Sequence, residues 1–388
     1  MPVLKITEEG FEELNSPTLH LRVDDIKRPT TDNKAHGDND AVMPSYVTST
    51  LTNQEQELCN GLSFFFEGFT DEQKKAIVDL SSKQVCIAGA GSGKTRVLTH
   101  KIAYLIQFAG VSPDDILAIT FTRKAKQEMI SRLTALLGSQ QSVRVETFNS
   151  FAERELQRHK QVSEVAQKQM IAPRDFIGLV TRAIQRLGYD VPTFMKHYFT
   201  PREQRGKNDR ELFFSFLYDF RAILEEYQLE KNSDDSFEKR IEELKTSDHV
   251  IAQKLIALAQ HVTQQLHEQH YRTYSDQVPD ITSVFTSQPR SKPNYTWILI
   301  DEYQDVNPSQ HKLVELLGPK HLFVVGDPRQ SIYAWRGADP NVMFSFMKEA
   351  MEDDGSIVEL TTNFRSVPNI LSFANGIIDK SYNGKHSY

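Results

Sequence analysis

The feature that most restricts this fold is the string AGAGSGKT, from Ala88 to Thr95. It follows the apolar run Val85–Ala88 and precedes an amphipathic stretch, TRVLTHKIAYLI. Strand, glycine-rich turn and helix in that order make a phosphate-binding loop. Glycines let the backbone curl so that the N–H groups of Ala90, Gly91, Ser92 and Gly93 face one point, and the helix N-terminus adds about half a positive charge. Lys94 then stands where it neutralises terminal phosphates, and Thr95 where its hydroxyl reaches a divalent cation. The strict GxxxxGK[ST] pattern has glycine where this chain has Ala88. An ordinary glycine-rich turn satisfies so short a string, so the rest of the chain has to agree with it.

The alternation of apolar runs does agree. Val85–Ala88, Ile116–Thr120, Val143–Thr147, Trp297–Ile300, Leu322–Val325 and Ile357–Leu360 are short and mostly apolar, and each reads as a fully buried parallel strand. Helical stretches lie between many of them, which predicts an α/β fold with a parallel sheet. Between about Phe151 and Tyr274 the series is interrupted by sequence that is almost entirely helical in period. There Leu212, Phe213, Phe216, Leu217, Phe220, Ile223, Leu224 and Tyr227 mark one apolar face. Residues 1–68 read as an N-terminal extension, with VLKIT and LHLRV as short strands and KRPTTDNKAHGDND as a flexible linker.

Charge and cysteine content narrow the class. The net charge is −7, so a nucleic acid would have to be met by a local basic and aromatic surface and not by the field of the whole molecule. Two cysteines, Cys59 and Cys86, exclude a disulfide framework and suit a reducing cytoplasm; Cys86 sits in an apolar run as a small hydrophobe. The first residues lack the apolar core of a signal peptide, and no apolar run is long enough to span a bilayer.

Several further strings carry chemistry. In WILIDEYQD, four apolar residues deliver Asp301 and Glu302 to the carboxyl end of a strand, where ligands of open α/β sheets bind. One carboxylate there suits Mg²⁺ and the next suits polarising a water, although Asp-Glu pairs also begin ordinary solvated loops. LFVVGDPRQSIYAWRGADP supplies Gln330, Tyr333, Trp335 and Arg336, a run suited to base stacking and phosphate contact. In FTDEQKKAI, the amide of Gln73 suits an adenine edge. In ITFTRKAKQEM, Thr120 and Thr122 stand where N-capping hydroxyls belong, and Phe121, Arg123 and Lys124 suit a nucleic-acid strand. VETFNSFA offers Thr147 and Asn149 in a similar strand-to-helix position. His261, His267 and His270 lie near one another, but a metal site needs further ligands, and an exposed helix face is the simpler reading.

The order of these strings closely resembles the UvrD/Rep/PcrA family of superfamily 1A DNA helicases. FTDEQ is similar to the Q motif, AGAGSGKTRVL to motif I, AITFTRKAKQEM to motif Ia and VETFNSFA to motif Ib. ILIDEYQD resembles motif II, VVGDPRQSIYAWRGAD motif III and LTTNFRS motif IV. The resemblance implies a RecA-like P-loop NTPase sheet with a helical inserted domain. The implied domains are a split domain 1A at 69–150 and 275–360, an inserted domain 1B at 151–274, and the start of a domain 2A at 361–388. It implies ATP and Mg²⁺ as cofactors, 3′-to-5′ movement on single-stranded DNA, and single-stranded or 3′-tailed duplex DNA as partner, with no membrane.

By the same resemblance, Gln73 contacts adenine, Phe364 stacks on it, and Ala90 to Thr95 with Arg96 hold the nucleotide. Thr95 and Asp301 hold Mg²⁺, Glu302 activates water, Gln330 senses the γ-phosphate, and Arg365 approaches it as an arginine finger. Phe121, Arg123, Asn149, Tyr333, Trp335 and Arg336 line the strand path. The family has Asn where this chain has Arg123 and His where it has Asn149. Motifs V and VI are not in the sequence. A missing C-terminal half or a protein partner is expected to supply them, and the chain alone is expected to be inactive. The alternative is a truncated non-motor module that binds ATP and single-stranded DNA and acts through a partner.

Overall fold

The computed structural model describes residues 44–139, 142–230, 246–331 and 338–381. The strand readings VLKIT and LHLRV, the linker, and the site candidates Tyr333, Trp335 and Arg336 lie outside the described residues. Two compact units form: a helical one over Leu156–Asp280, and an α/β one that takes in the described residues on either side of it in the sequence.

The α/β unit begins before the first strand. Helix α1 (Asn53–Gly61) and helix α2 (Asp71–Val78) both open on capping boxes, Thr52 with Glu55 and Thr70 with Gln73. Ahead of them, Ser49 donates a backbone hydrogen bond to Ile357 and Tyr46 donates to the Glu359 carboxylate. The strands then come in the expected places: β1 (Lys83–Ala88), β2 (Ile116–Thr120), β3 (Arg144–Thr147), β6 (Trp297–Ile300), β7 (His321–Gly326) and β8 (Ser356–Leu360). They form one sheet in the order β3-β2-β6-β7-β1-β8, and every pairing is parallel. This is the α/β, RecA-like P-loop sheet expected from the sequence.

Helices α3 (Lys94–Gln107), α4 (Arg123–Leu137) and α5 (Phe148–His159) follow β1, β2 and β3. The core between helices and sheet contains Val97, Leu98, Ile102, Met129, Trp297, Phe323 and Val325. Because all six strands run the same way, their carboxyl ends share one edge, and the segments after β1, β2, β3, β6, β7 and β8 start there. Parallel pairing thus brings together motifs that are up to about 270 residues apart in the sequence.

The helical unit contains α6 (Pro173–Arg186), α7 (Val191–Tyr198), α8 (Asp209–Glu230) and α9 (Thr246–Glu268). All eight apolar positions read from the α8 sequence are buried in its core, against residues such as Phe176, Phe194, Leu258 and Val262. A two-residue parallel pair, β4 (Gln169–Met170) with β5 (Tyr271–Arg272), joins the two ends of this segment. Beside it Arg272, 2% exposed, donates to the carbonyls of Val165 and Ala166. Helices α10 (Gln277–Ser287), α11 (Pro308–Leu317), α12 (Pro340–Glu352) and α13 (Pro368–Ser381) complete the described chain. No helix of the described residues is long and apolar enough to cross a membrane.

Candidate nucleotide site at the carboxyl edge of the sheet

The loop after β1 has the backbone that its glycines predict. Gly91 and Gly93 take φ of +76° and +89°, left-handed values that side chains rarely adopt. Gly93 is the N-cap of α3 and no side chain caps it, which leaves the first N–H groups of the helix directed at the loop. Ala88 explains why the missing first glycine does no harm: it is the last residue of β1, paired with Leu360, and needs no special backbone. Ser92 folds the loop on itself, its hydroxyl donating to the Gly89 carbonyl at 2.8 Å.

Two other segments hold this loop. The Gln73 amide oxygen accepts from the Thr70 N–H at 3.2 Å while its Nε2 donates to the Ser92 carbonyl at 2.9 Å. The residue expected at adenine therefore clamps the loop to α2 in this structure. On the other side, the Phe364 N–H donates to the Gly91 carbonyl at 2.9 Å, and the Asn363 amide donates to the Ala90 carbonyl. Asn363 Oδ1 also accepts from the N–H groups of Arg365 and Ser366, which shapes the turn after β8. The Phe364 ring is 58% exposed, as a stacking surface needs to be, and Arg365 is exposed. Arg96 lies over the Phe69 ring, 3.8 Å from its centroid, and donates to the carbonyls of Glu67 and Gly68.

Motif II stands next to the loop. Lys94 Nζ meets Glu302 Oε2 at 2.8 Å. Glu302 has a φ of +52°, which is costly for a residue with a side chain and is typical of positions where geometry serves function. Asp301 is 4% exposed. Burial and the adjacent Glu302 carboxylate push its pKa up to about 7, against the opposing pull of Lys94 and of a hydrogen bond from Thr95. Asp305 is likewise pushed up to about 7 by burial and by Glu302, and its Oδ1 is buried without a hydrogen-bond partner. Three carboxylates near one ammonium group, two of them raised by burial and by the neighbouring Glu302, suit a divalent cation with oxygen ligands.

Motif III continues the same edge. Asp327, fully buried, accepts from the Gln330 amide at 2.7 Å and from the Arg329 backbone and side chain. Gln304 lies between the two motifs and contacts both.

Of the strand-path candidates, Phe121 is half-buried at the end of β2 and Arg123 is exposed at the start of α4. Asn149 is half-buried in the first turn of α5. Thr122 caps α4 by accepting from the Ala125 N–H. Thr120 does not cap: as the last residue of β2 it is buried, and its hydroxyl has no partner. Thr147 accepts from the Ser150 N–H at the start of α5. His261 packs beside Arg186, 2.9 Å away. Among the described residues, His311, Glu315 and Glu349 bring possible ligand atoms within 4.8 Å of one another, but Glu349 is already paired with Lys83.

Sequence reasoning passed over three residues. Gln304 was visible two places after Glu302, and Asn363 just before Phe364. Lys101 had no signal in the sequence: a lysine on the amphipathic α3 reads as a solvated position. It is fully buried, and its Nζ donates to the carbonyls of Ala76, Ile77 and Asp79 at the end of α2. Burial pushes its pKa down to about 7. It ties the helix carrying Gln73 to the helix carrying Lys94.

Comparison with known proteins agrees with this geometry. Residues 69–351 match the family described as UvrD/REP helicase N-terminal domain. The chain is 33% identical over 321 residues to the ATP-dependent DNA helicase PcrA of Leuconostoc citreum, covering 80% of this chain and 39% of the relative. It is 32% identical over 320 residues to that of Staphylococcus epidermidis, covering 80% and 40%, and 33% identical over 315 residues to that of Staphylococcus aureus, covering 79% and 39%. The chain thus spans about two fifths of the length of the curated relatives it matches. With the phosphate loop, the paired carboxylates and the Asp327–Gln330 turn at one sheet edge, the chain belongs to the UvrD/REP helicase N-terminal domain family.

Proposed function

We propose that this chain is the ATP-binding half of a DNA helicase that couples hydrolysis of Mg-ATP to 3′-to-5′ movement along single-stranded DNA. The observation that carries the reading is the convergence of Lys94, Thr95, Asp301 and Glu302 beside the open N-terminus of α3. The named activity of the curated relatives supports it.

In this reading Lys94 changes partner. Without nucleotide it is held by Glu302 at 2.8 Å. A terminal phosphate is a stronger ligand for an ammonium group, so phosphate entry draws Lys94 off and leaves the carboxylate able to accept a proton from a water. Thr95 and Asp301 hold Mg²⁺, which when bound neutralises charge on the phosphate oxygens. Gln330 approaches the γ-phosphate from the turn after β7, and Arg365 approaches from the segment after β8. Gln73, Arg96 and Phe364 take the base. Phe121, Arg123, Asn149, Tyr333, Trp335 and Arg336 carry the DNA strand. The sheet unit corresponds to domain 1A, the helical unit to 1B, and α13 to the start of 2A.

The test is strand separation on 3′-tailed and 5′-tailed duplexes by a protein that joins this chain to a C-terminal half carrying motifs V and VI. ATP-dependent separation of the 3′-tailed substrate, lost in Lys94→Ala, is the expected result. Separation of the 5′-tailed substrate alone overturns the polarity. ATP-responsive binding of single-stranded DNA with no separation overturns the motor and supports the non-motor module.

A further inference from the structure

Gln304 is 2% exposed and uses both ends of its amide. Its Nε2 donates to Glu302 Oε2 at 2.9 Å, and its Oε1 accepts from the Asp327 N–H at 3.0 Å. Asp327 Oδ2 in turn accepts from Gln330 Nε2 at 2.7 Å. The Gln304 backbone carbonyl accepts from the Ser331 hydroxyl at 3.1 Å. One unbroken hydrogen-bonded chain therefore runs Lys94–Glu302–Gln304–Asp327–Gln330, across the ends of β6 and β7.

Gly326, the last residue of β7, lies directly against this amide and the backbone that carries it. A Cβ placed on Gly326 would collide with Gln304 Oε1 and crowd the backbone N–H groups of Tyr303 and Gln304 at 3.1 and 3.2 Å. Gly326 has no positive φ to explain it. Its lack of a side chain leaves room for the Gln304 oxygen to reach the strand end.

We propose that Gln304 is a positioning residue that keeps the Glu302 carboxylate aimed and links it to the Asp327–Gln330 turn, so that occupancy of the γ-phosphate site is felt on both motifs together. This rests on the nucleotide-site reading above. Lys94 and Gln304 share the same oxygen of Glu302. When Lys94 moves to phosphate, the bond from Gln304 remains and holds the carboxylate in place. An amide suits this, because it donates to a carboxylate at one end and accepts from a backbone N–H at the other. Glutamate cannot donate, lysine cannot accept, and methionine does neither usefully.

The experiment measures preference for Mg-ATPγS over Mg-ADP by displacement of a fluorescent ADP analogue. Wild type is expected to prefer ATPγS. Gln304→Met and Gln330→Ala each lower that preference by about tenfold, the size of one hydrogen bond to a charged group. Because both residues act through one chain, the double variant is lowered no further than the worse single one. A Gln304→Met preference equal to wild type overturns the proposal. So does an effect that multiplies with Gln330→Ala, or a wild type indifferent to the γ-phosphate. A cooperative thermal transition certifies that each variant folds. If Gln304→Met does not, Gln304→Glu replaces it. That variant keeps the acceptor for Asp327, loses the donor to Glu302, and must show the same loss. The underlying site is tested separately: if Lys94→Ala binds Mg-ATPγS like wild type, the nucleotide site itself is misassigned. If Lys94→Ala loses binding while Gln304→Met keeps full preference, only the relay is wrong.

Discussion

Replacing Lys94 by alanine should destabilise the nucleotide-free protein, and by an amount that depends on pH in a definite direction. Lys94 meets Glu302 at 2.8 Å with its side chain only 12% exposed, and it also holds down the pKa of Asp301. Even with that help, Asp301 sits at about 7, well above an ordinary carboxylate. Its folded pKa is thus raised above the unfolded one. Such a group adds stability at low pH and withdraws it as pH rises through the folded value. Removing Lys94 pushes Asp301 higher still. The variant should therefore lose more against wild type at pH 8, where the carboxylates must all be charged, than at pH 6, where Asp301 takes up a proton. Loss of a charged hydrogen bond sets the scale at pH 8 at about 1.5–3 kcal/mol. A rise of one unit in Asp301 separates the two pH values by about 1 kcal/mol, and larger rises bring the separation to a ceiling of about 1.4 kcal/mol. Scanning calorimetry of both proteins at pH 6 and pH 8, without nucleotide, measures this. An equal deficit at the two pH values, or a larger one at pH 6, would refute the electrostatic account of the site.

Other outcomes follow from the same edge of the sheet. Mg²⁺ should raise the melting temperature of the wild type more at pH 8 than at pH 6, because cation and proton compete for Asp301. Asp301→Asn should abolish that response while leaving the metal-free protein at least as stable at pH 8. Gly91→Ala should cost about 1–3 kcal/mol in unfolding, since it forces a left-handed φ and drives a Cβ into Arg365 and Asn363; an unchanged denaturation midpoint would contradict the loop geometry. Trp335→Ala should weaken single-stranded DNA binding about tenfold, one base's worth of stacking, with ATP affinity intact. Fluorescence anisotropy with a labelled oligonucleotide decides that, and a loss of ATP affinity instead would make Trp335 a core residue.

Most strands were legible because parallel strands buried on both faces show little polar alternation: Trp297–Ile300 is apolar and buried at every position, whereas β3, at the edge of the sheet, alternates between buried and half-buried residues. The α8 face was legible for the opposite reason, since Leu212 through Tyr227 keep strict helical spacing. Ligand chemistry could be read where residue type and turn geometry coincide, as in Gly91, Gly93 and Lys94. Partners across the sheet could not. The Lys94–Glu302 pair joins residues that only the β1–β7–β6 neighbourhood brings together. The same holds for the Asn363 contact with Ala90 and for Lys101 beneath α2. Thr120 was misread as a cap because a strand-to-helix junction offers two threonines, and only Thr122 has the extended backbone just before the first turn that capping requires. Residues 44–68, read only as part of an N-terminal extension, belong to the α/β unit, with Thr52 capping α1 and Cys59 and Phe66 buried.

Calorimetric titration of the purified chain with ATP, with and without Mg²⁺, tests the central claim most directly. The arrangement of Lys94, Thr95, Asp301 and Glu302 predicts a single saturable site that is tighter with Mg²⁺ and weakened about tenfold or more in Lys94→Ala. Absence of saturable binding, or wild-type affinity in Lys94→Ala, would contradict the assignment of this edge as the nucleotide site.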